Sequence, residues 1–220
     1  MSQIHNLSRR HFMQGAAGLT LGLALPGVAS AASKAGAPAA DAGFAPNAFL
    51  RIGTDNSVTV ISKHLEMGQG TYTGLATLVA EELDAAWAQV KVEGAPADAK
   101  RYNNLFWGPA QGTGGSTTMA NSWEQMRQAG AAARAMLVSA AARRWQVPAG
   151  EIAVSEGVVS HAASKRKASF GELASAAAAE AVPASVTLKD PKDFRLIGKH
   201  AHRKDSAAKT NGTAQFTQDM

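Results

Sequence analysis

A mixed α+β fold follows from three features of this 220-residue chain. Short runs rich in Val, Ile and Thr are separated by turns containing Asn, Asp or Gly. Two longer stretches carry apolar residues at helical spacing. Each of those stretches begins directly after a glycine-rich loop, as in "GQGT" at 68–71 and "GTGGST" at 112–117. At 45% hydrophobic and 18% charged, the chain has enough apolar matter for one or two packed domains and is not a solvated polymer.

The first element is a targeting segment. Residues 1–31 hold paired arginines, Arg9 and Arg10, then Phe12, an apolar run from Gly15 to Ala29 and the small-residue site Ala29-Ser30-Ala31. The run is too short for the roughly 20 residues that span a bilayer, and Gly and Ala dilute its hydrophobicity. We therefore expect a cleaved twin-arginine signal, and with it export of the folded protein to the periplasm. Its removal takes away two arginines and no acid, which lowers the formal charge from +5 to +3. Residues 32–46, rich in Ala, Gly and Pro, read as a flexible leader.

The ordered elements then run as follows. "NAFLRIGTDNSVTVISK" holds two β-like runs around Asp55-Asn56, a hairpin signal, the second run being apolar on both faces. Thr71 to Leu83 places Leu75, Leu78, Val79 and Leu83 on one helical stripe. "AQVKVEG" is a returning strand. A loop extends to Gly115, and a long alanine-rich helix runs from about Thr117 to Trp145, stopped by Pro148. Residues 150–160 form a second hairpin turning at Glu156-Gly157, and Lys165-Arg166-Lys167 an exposed turn. Ser169 and Glu172 have capping-box spacing for a short helix. From Lys189 the chain is charged and poor in core residues, and "GTAQFTQDM" reads as a strand.

Composition also excludes functions. With no cysteine, the chain has no disulfide, thiolate metal site, cysteine-ligated cluster or cysteine nucleophile. No basic stripe with interleaved aromatics marks a nucleic-acid surface. The six histidines do not cluster, so no metal site is expected; His64 reads as a surface side chain or a support behind ligand-contacting groups. Trp107 and Trp123 read as core or interface.

The two glycine loops carry the chemistry. Glycine lets a backbone approach a ligand, and the first N–H groups of a helix are unpaired and carry the positive end of its dipole. Such a mouth takes an anion, phosphate above all. Gln69 adds an amide able to donate and accept, and Ser116, Thr117 and Thr118 add hydroxyls. A glycine before a helix is also commonly just a turn, with Ser or Thr as its cap; two such loops favour a ligand. Neither loop contains lysine, so neither is a P-loop, and Gly68, Gly70 and Gly74 miss the dinucleotide G-x-G-x-x-G spacing.

"LEMGQGTYTGLATLVAEELDA", "GTGGSTTMANSWEQMRQAGAAARAML" and "FRLIGKHAHRKDSAAKTNGTAQFTQDM", in that order behind a twin-arginine leader, resemble one family. It is the molybdopterin-binding large subunit of isoquinoline 1-oxidoreductase and periplasmic aldehyde dehydrogenase type, within the xanthine dehydrogenase family. The resemblance covers essentially the whole chain. It implies molybdenum held by molybdopterin cytosine dinucleotide, contacted by Gln69, Gly70 and Thr71 and by Gly115, Ser116, Thr117 and Thr118. It also implies oxidation of an aldehyde or N-heterocycle with water-derived oxygen, an iron–sulfur small subunit carrying [2Fe–2S] clusters, and a cytochrome or other electron acceptor.

The family's glutamate base and G-G-x-F-G loop are not found in this chain. No catalytic residue is expected here, and Glu66 reads as a structural part of the GQG motif. The expected organisation is a partial molybdopterin-binding domain over 47–188, then a linker and the start of a truncated next domain over 189–220. Such a portion should be marginally stable alone, with exposed apolar surface. Two other readings stay open: a non-catalytic exported α+β binding or scaffold module, and a broken gene product.

Overall fold

The computed structural model describes residues 44–219, so the twin-arginine segment and most of the leader lie outside the described residues. The first sheet contains β1 (Phe44–Asn47), β2 (Leu50–Ile52), β3 (Val58–Ser62) and β4 (Val90–Gly94), in that spatial order. The expected leader thus ends at β1, which pairs antiparallel with β2. β2 and β3 form the expected hairpin. Its turn is held by the Asp55 carboxylate, which accepts the Ser57 N–H, and by Asn56 in the left-handed region at φ 68°.

β3 and β4 are parallel, and parallel neighbours need a crossover. Helix α1 (Thr71–Leu83) supplies it, burying Leu75, Leu78, Val79 and Leu83 as their spacing predicts. A four-residue turn of helix, α2 (Ala99–Tyr102), precedes the long α3 (Thr118–Trp145). α3 crosses α1 at Gly130, where a Cβ would run into the Val79 carbonyl oxygen. This close approach is why α3 is built from Ala and Gly. Gln146, at φ 56°, ends the helix just before Pro148.

The second sheet is antiparallel: β5 (Ile152–Ser155), β6 (Val158–His161) and β7 (Arg166–Ser169). Glu156 and Gly157 both have positive φ, the geometry a two-residue hairpin turn requires. α4 (Phe170–Ala177) begins with a capping box between Ser169 and Glu172. One hydrophobic core runs from Leu50, Ile52 and Val60 through α1 and α3 to Val159, Phe170 and Leu173.

Three local expectations change. Lys165 occupies the turn with φ 57°, but Arg166 and Lys167 belong to β7, and the Arg166 guanidinium donates to the Trp145 carbonyl. The described residues of "GTAQFTQDM", 212–219, form no strand. The Ala214 N–H instead bonds the Ala208 carbonyl of α5 (Ser206–Thr210), and the Asp219 carboxylate accepts the Phe216 N–H, giving a 3-10 turn over Thr217–Asp219. The charged stretch after Lys189 is docked tightly. The fully buried Glu81 carboxylate accepts the N–H groups of Arg195, Leu196 and Ile197 at 2.6–3.1 Å and the Lys189 ammonium at 3.1 Å. Glu82 accepts the Lys189 N–H and pairs with Arg127, whose guanidinium lies against the Trp123 and Phe194 rings. The described residues accordingly lie in one compact unit. Among the described residues, no helix is long and apolar enough to cross a membrane.

Candidate cofactor-binding site

The first glycine loop is shaped by Glu66. Its carboxylate accepts the N–H groups of Gly68 (2.7 Å), Gly70 (3.2 Å) and Tyr72 (3.0 Å), filling the amino end of α1. Burial acts to raise the Glu66 pKa, but the three backbone donors outweigh it and hold the carboxyl below its ordinary range. A carboxylate bound this way is an anchor, not a base. Gln69 is folded back as well. Its amide donates to the Leu65 carbonyl and accepts the Met67 N–H. Gly68 and Gly70 have φ of 104° and 92°, with open space where a Cβ would stand.

Thr71, the first residue of α1, is different. Its hydroxyl is buried and has no hydrogen-bond partner among the described residues. An unsatisfied buried hydroxyl costs about 1–3 kcal/mol, and this one follows directly on Gly70.

The second loop divides in two. At Gly112 and Gly114 a Cβ would meet the Trp107 ring at 2.6 and 3.1 Å, so these glycines serve the packing of Trp107. Thr117 is also committed, accepting from the Asn104 amide and donating to the Gly114 carbonyl. Gly115 and Ser116 are consecutive left-handed residues at φ 60° and 56°. For a serine this conformation costs on the order of 1 kcal/mol. The Ser116 and Thr118 hydroxyls make no hydrogen bond to any described residue. α3 has no side-chain cap and no acid in its first turn, so its positive end is unfilled, unlike that of α1.

His64 joins the two loops. It is 1% exposed, which rules out the surface reading. Nδ1 lies 3.1 Å from the Gly112 carbonyl, and Nε2 lies by the Asn121 amide of α3. Burial lowers its pKa most, Asn121 acts to raise it, and Lys63 lowers it further. The neutral ring carrying hydrogen on Nδ1 satisfies both contacts. The Leu65 N–H also donates to Thr113 Oγ1 at 2.8 Å. A cleft of about 610 Å³ opens beside this bridge, lined by Lys63, His64, Ala97, Gln111, Gly112 and Thr113. Burial lowers the Lys63 pKa to about 8; its ammonium donates to Gln125 and has no carboxylate partner among the described residues.

The structure thus joins the two predicted loops; within them Gly115 and Ser116 are exposed, Gly70 and Thr118 are half-buried, and Thr71 is buried. Gln69 and Thr117 are engaged within their own loops. Sequence reasoning missed His64, Asn104, Asn121 and Thr113 as the bridge. Their partners lie 8 to 57 positions away, and no local pattern marks such pairs. Among the described residues, no group of three or more acidic or histidine side chains could hold a metal ion.

The fold is an α+β domain with two glycine loops at helix starts. Residues 8–217 match the molybdopterin cofactor-binding domain family, and the chain belongs to it. It is 38% identical to the isoquinoline 1-oxidoreductase beta subunit of Brevundimonas diminuta, over 97% of this chain and 32% of that protein. It is 33% identical to the membrane-bound aldehyde dehydrogenase [pyrroloquinoline-quinone] of Gluconacetobacter polyoxogenes, over 96% of this chain and 27% of that protein. The chain therefore spans about a third or less of these relatives. A solved structure, quinoline 2-oxidoreductase from Pseudomonas putida 86, is similar over 58% of this chain and 15% of its own, at 21% identity and a TM-score of 0.45.

Proposed function

We propose that this chain supplies the cofactor-contacting portion of a molybdenum hydroxylase large subunit that holds molybdopterin as its cytosine dinucleotide. When bound, that group supplies the metal centre at which an aldehyde or N-heterocycle is oxidised with oxygen from water. The observation that carries the reading is the pair of glycine loops bridged by His64, with the buried, unpartnered Thr71 hydroxyl at the start of α1.

The two loops divide the work by charge. Glu66 already neutralises the amino end of α1, so the first loop suits an uncharged hydrogen-bonding edge, met by Thr71 and by Gln69 once its internal bonds are exchanged. The uncapped start of α3, with Gly115, Ser116 and Thr118, suits the phosphates. No residue of this chain is assigned a proton-transfer role. The relative from Brevundimonas diminuta is named as a beta subunit, which supports a partner. We take that partner to be an iron–sulfur small subunit with [2Fe–2S] clusters, delivering electrons to a cytochrome or other acceptor. Arg9, Arg10 and the run after them support a periplasmic location. We also propose that 47–188 is part of the binding domain and that 189–220 leads, through its docked first half, towards a further domain.

One observation favours the non-catalytic alternative: Glu66 and Gln69 satisfy the first loop without any ligand. The test is metal, nucleotide and quinone analysis of the protein purified from its native host with the subunits that accompany it. Molybdenum and CMP near one per complex, both reduced by Gln69→Ala or Ser116→Ala, are expected. Neither molybdenum nor CMP would leave the scaffold reading, and pyrroloquinoline quinone in their place would overturn the cofactor assignment.

A further inference from the structure

The segment after His202 reaches back across 135 positions to the first glycine loop. The Arg203 guanidinium donates from Nη1 to the Gly68 carbonyl (3.2 Å) and from Nη2 to the Glu66 carboxylate (3.3 Å). It is aimed by Asp205, which receives Nε at 3.1 Å and Nη2 at 3.0 Å in a two-point pair. Lys209, one turn along α5, also pairs with Asp205 and lies 3.8 Å from Glu66. Two further contacts pin the segment: the Lys204 N–H donates to Thr73 Oγ1 (3.0 Å), and the Lys204 ammonium bonds the Trp87 carbonyl and covers its ring.

We propose that Arg203 is a positioning residue for the cofactor loop and that residues 203–209 form a strap that sets its shape. Glu66 alone binds three backbone N–H groups, but a nearly buried carboxylate without a counter-ion is drawn towards solvent. Arg203 supplies the counter-charge and at the same time fixes the Gly68 carbonyl. Both faces of the Gly68 peptide environment are thereby held, donor side by Glu66 and acceptor side by Arg203. Two glycines with positive φ sample many conformations when free; the strap selects the one that presents Gly70 and Thr71. The inference deepens the cofactor reading and, for its effect on retention, rests on it.

The experiment compares the native complex with Arg203→Ala, Arg203→Lys and Asp205→Asn, reading amide hydrogen exchange at Gly68, Gly70 and Tyr72 beside molybdenum and CMP content. Arg203→Ala should speed exchange at these amides at least tenfold and lower cofactor content, while α3 amides and the melting temperature stay near wild type. Arg203→Lys, which keeps charge but loses the fork, should fall between. Ethylguanidinium should slow the exchange of Arg203→Ala again, because the site is 40% exposed at the arginine and open to it. Unchanged exchange in both Arg203→Ala and Asp205→Asn overturns the strap. If Arg203→Ala opens the whole domain, Asp205→Asn decides, since it leaves Glu66 and Arg203 in place. Wild-type protein without molybdenum or CMP sinks the cofactor reading instead, and the exchange data still judge the strap.

Discussion

Single side chains decide what each loop can bind. Glu66 turns the amino end of α1 from an anion site into a filled one, and this was half legible: the residue belongs visibly to the motif, but its three backbone partners appear only in the folded loop. Lys63 was invisible, since an isolated lysine at a strand end reads as solvent-facing. It is 3% exposed, and burial lowers its pKa from 10.5 to about 8. Between those values the unfolded chain binds more protons than the folded one, so stability rises with pH from about 8 to 10.5. Lys63→Met removes a buried charge and should stabilise the protein by about 1–2 kcal/mol at pH 7. Thermal melts across pH 7–10.5 check this: the gain should shrink as pH rises, and a constant gain would contradict it.

At the level of elements, periodicity was a good guide. α1, α3, the two hairpins and the capping box of α4 were all legible, because each rests on spacing or turn chemistry within a few residues. The strand expected at "GTAQFTQDM" failed because alternating residues make a strand only beside a partner, and local bonds from Ala214 and Asp219 took its place. The docking of 189–197 on α1 was hidden for a related reason. Two of the charges that made the stretch look like a linker, Lys189 and Arg195, are complements of Glu81 and Asp84. Burial acts to raise the Glu81 pKa, but the N–H groups of Leu196, Ile197 and Arg195, with Lys189, hold it below 4.5. Its contribution is therefore complete above pH 4.5 and lost as pH falls through the lower folded value. Glu81→Gln should cost about 3 kcal/mol at pH 7, leaving Lys189 partly unpaired, and should flatten the acid limb of unfolding below pH 4.5. Chemical denaturation at pH 3–7 measures both; equal stability of variant and wild type at pH 7 would refute the latch.

For the molecule as a whole, class and family were legible because the two glycine motifs, their order and their helices are local signals. The assembly of the site was not: it depends on the His64 bridge, the Gly130 crossing and the Arg203 strap, all long-range contacts. Apolar side chains remain exposed in the two loop regions, Leu65 and Met67 at 66% and Phe106 at 61%. The central claim is that these loops are built for a ligand, and the Thr71 hydroxyl gives it a sharp test. Thr71→Val keeps the shape and deletes the unsatisfied group. It should stabilise the cofactor-free protein by about 1 kcal/mol in a thermal melt, while lowering the molybdenum and CMP content of the complex purified from its native host. A higher melting temperature with undiminished cofactor would show that the hydroxyl serves no ligand and would contradict the account.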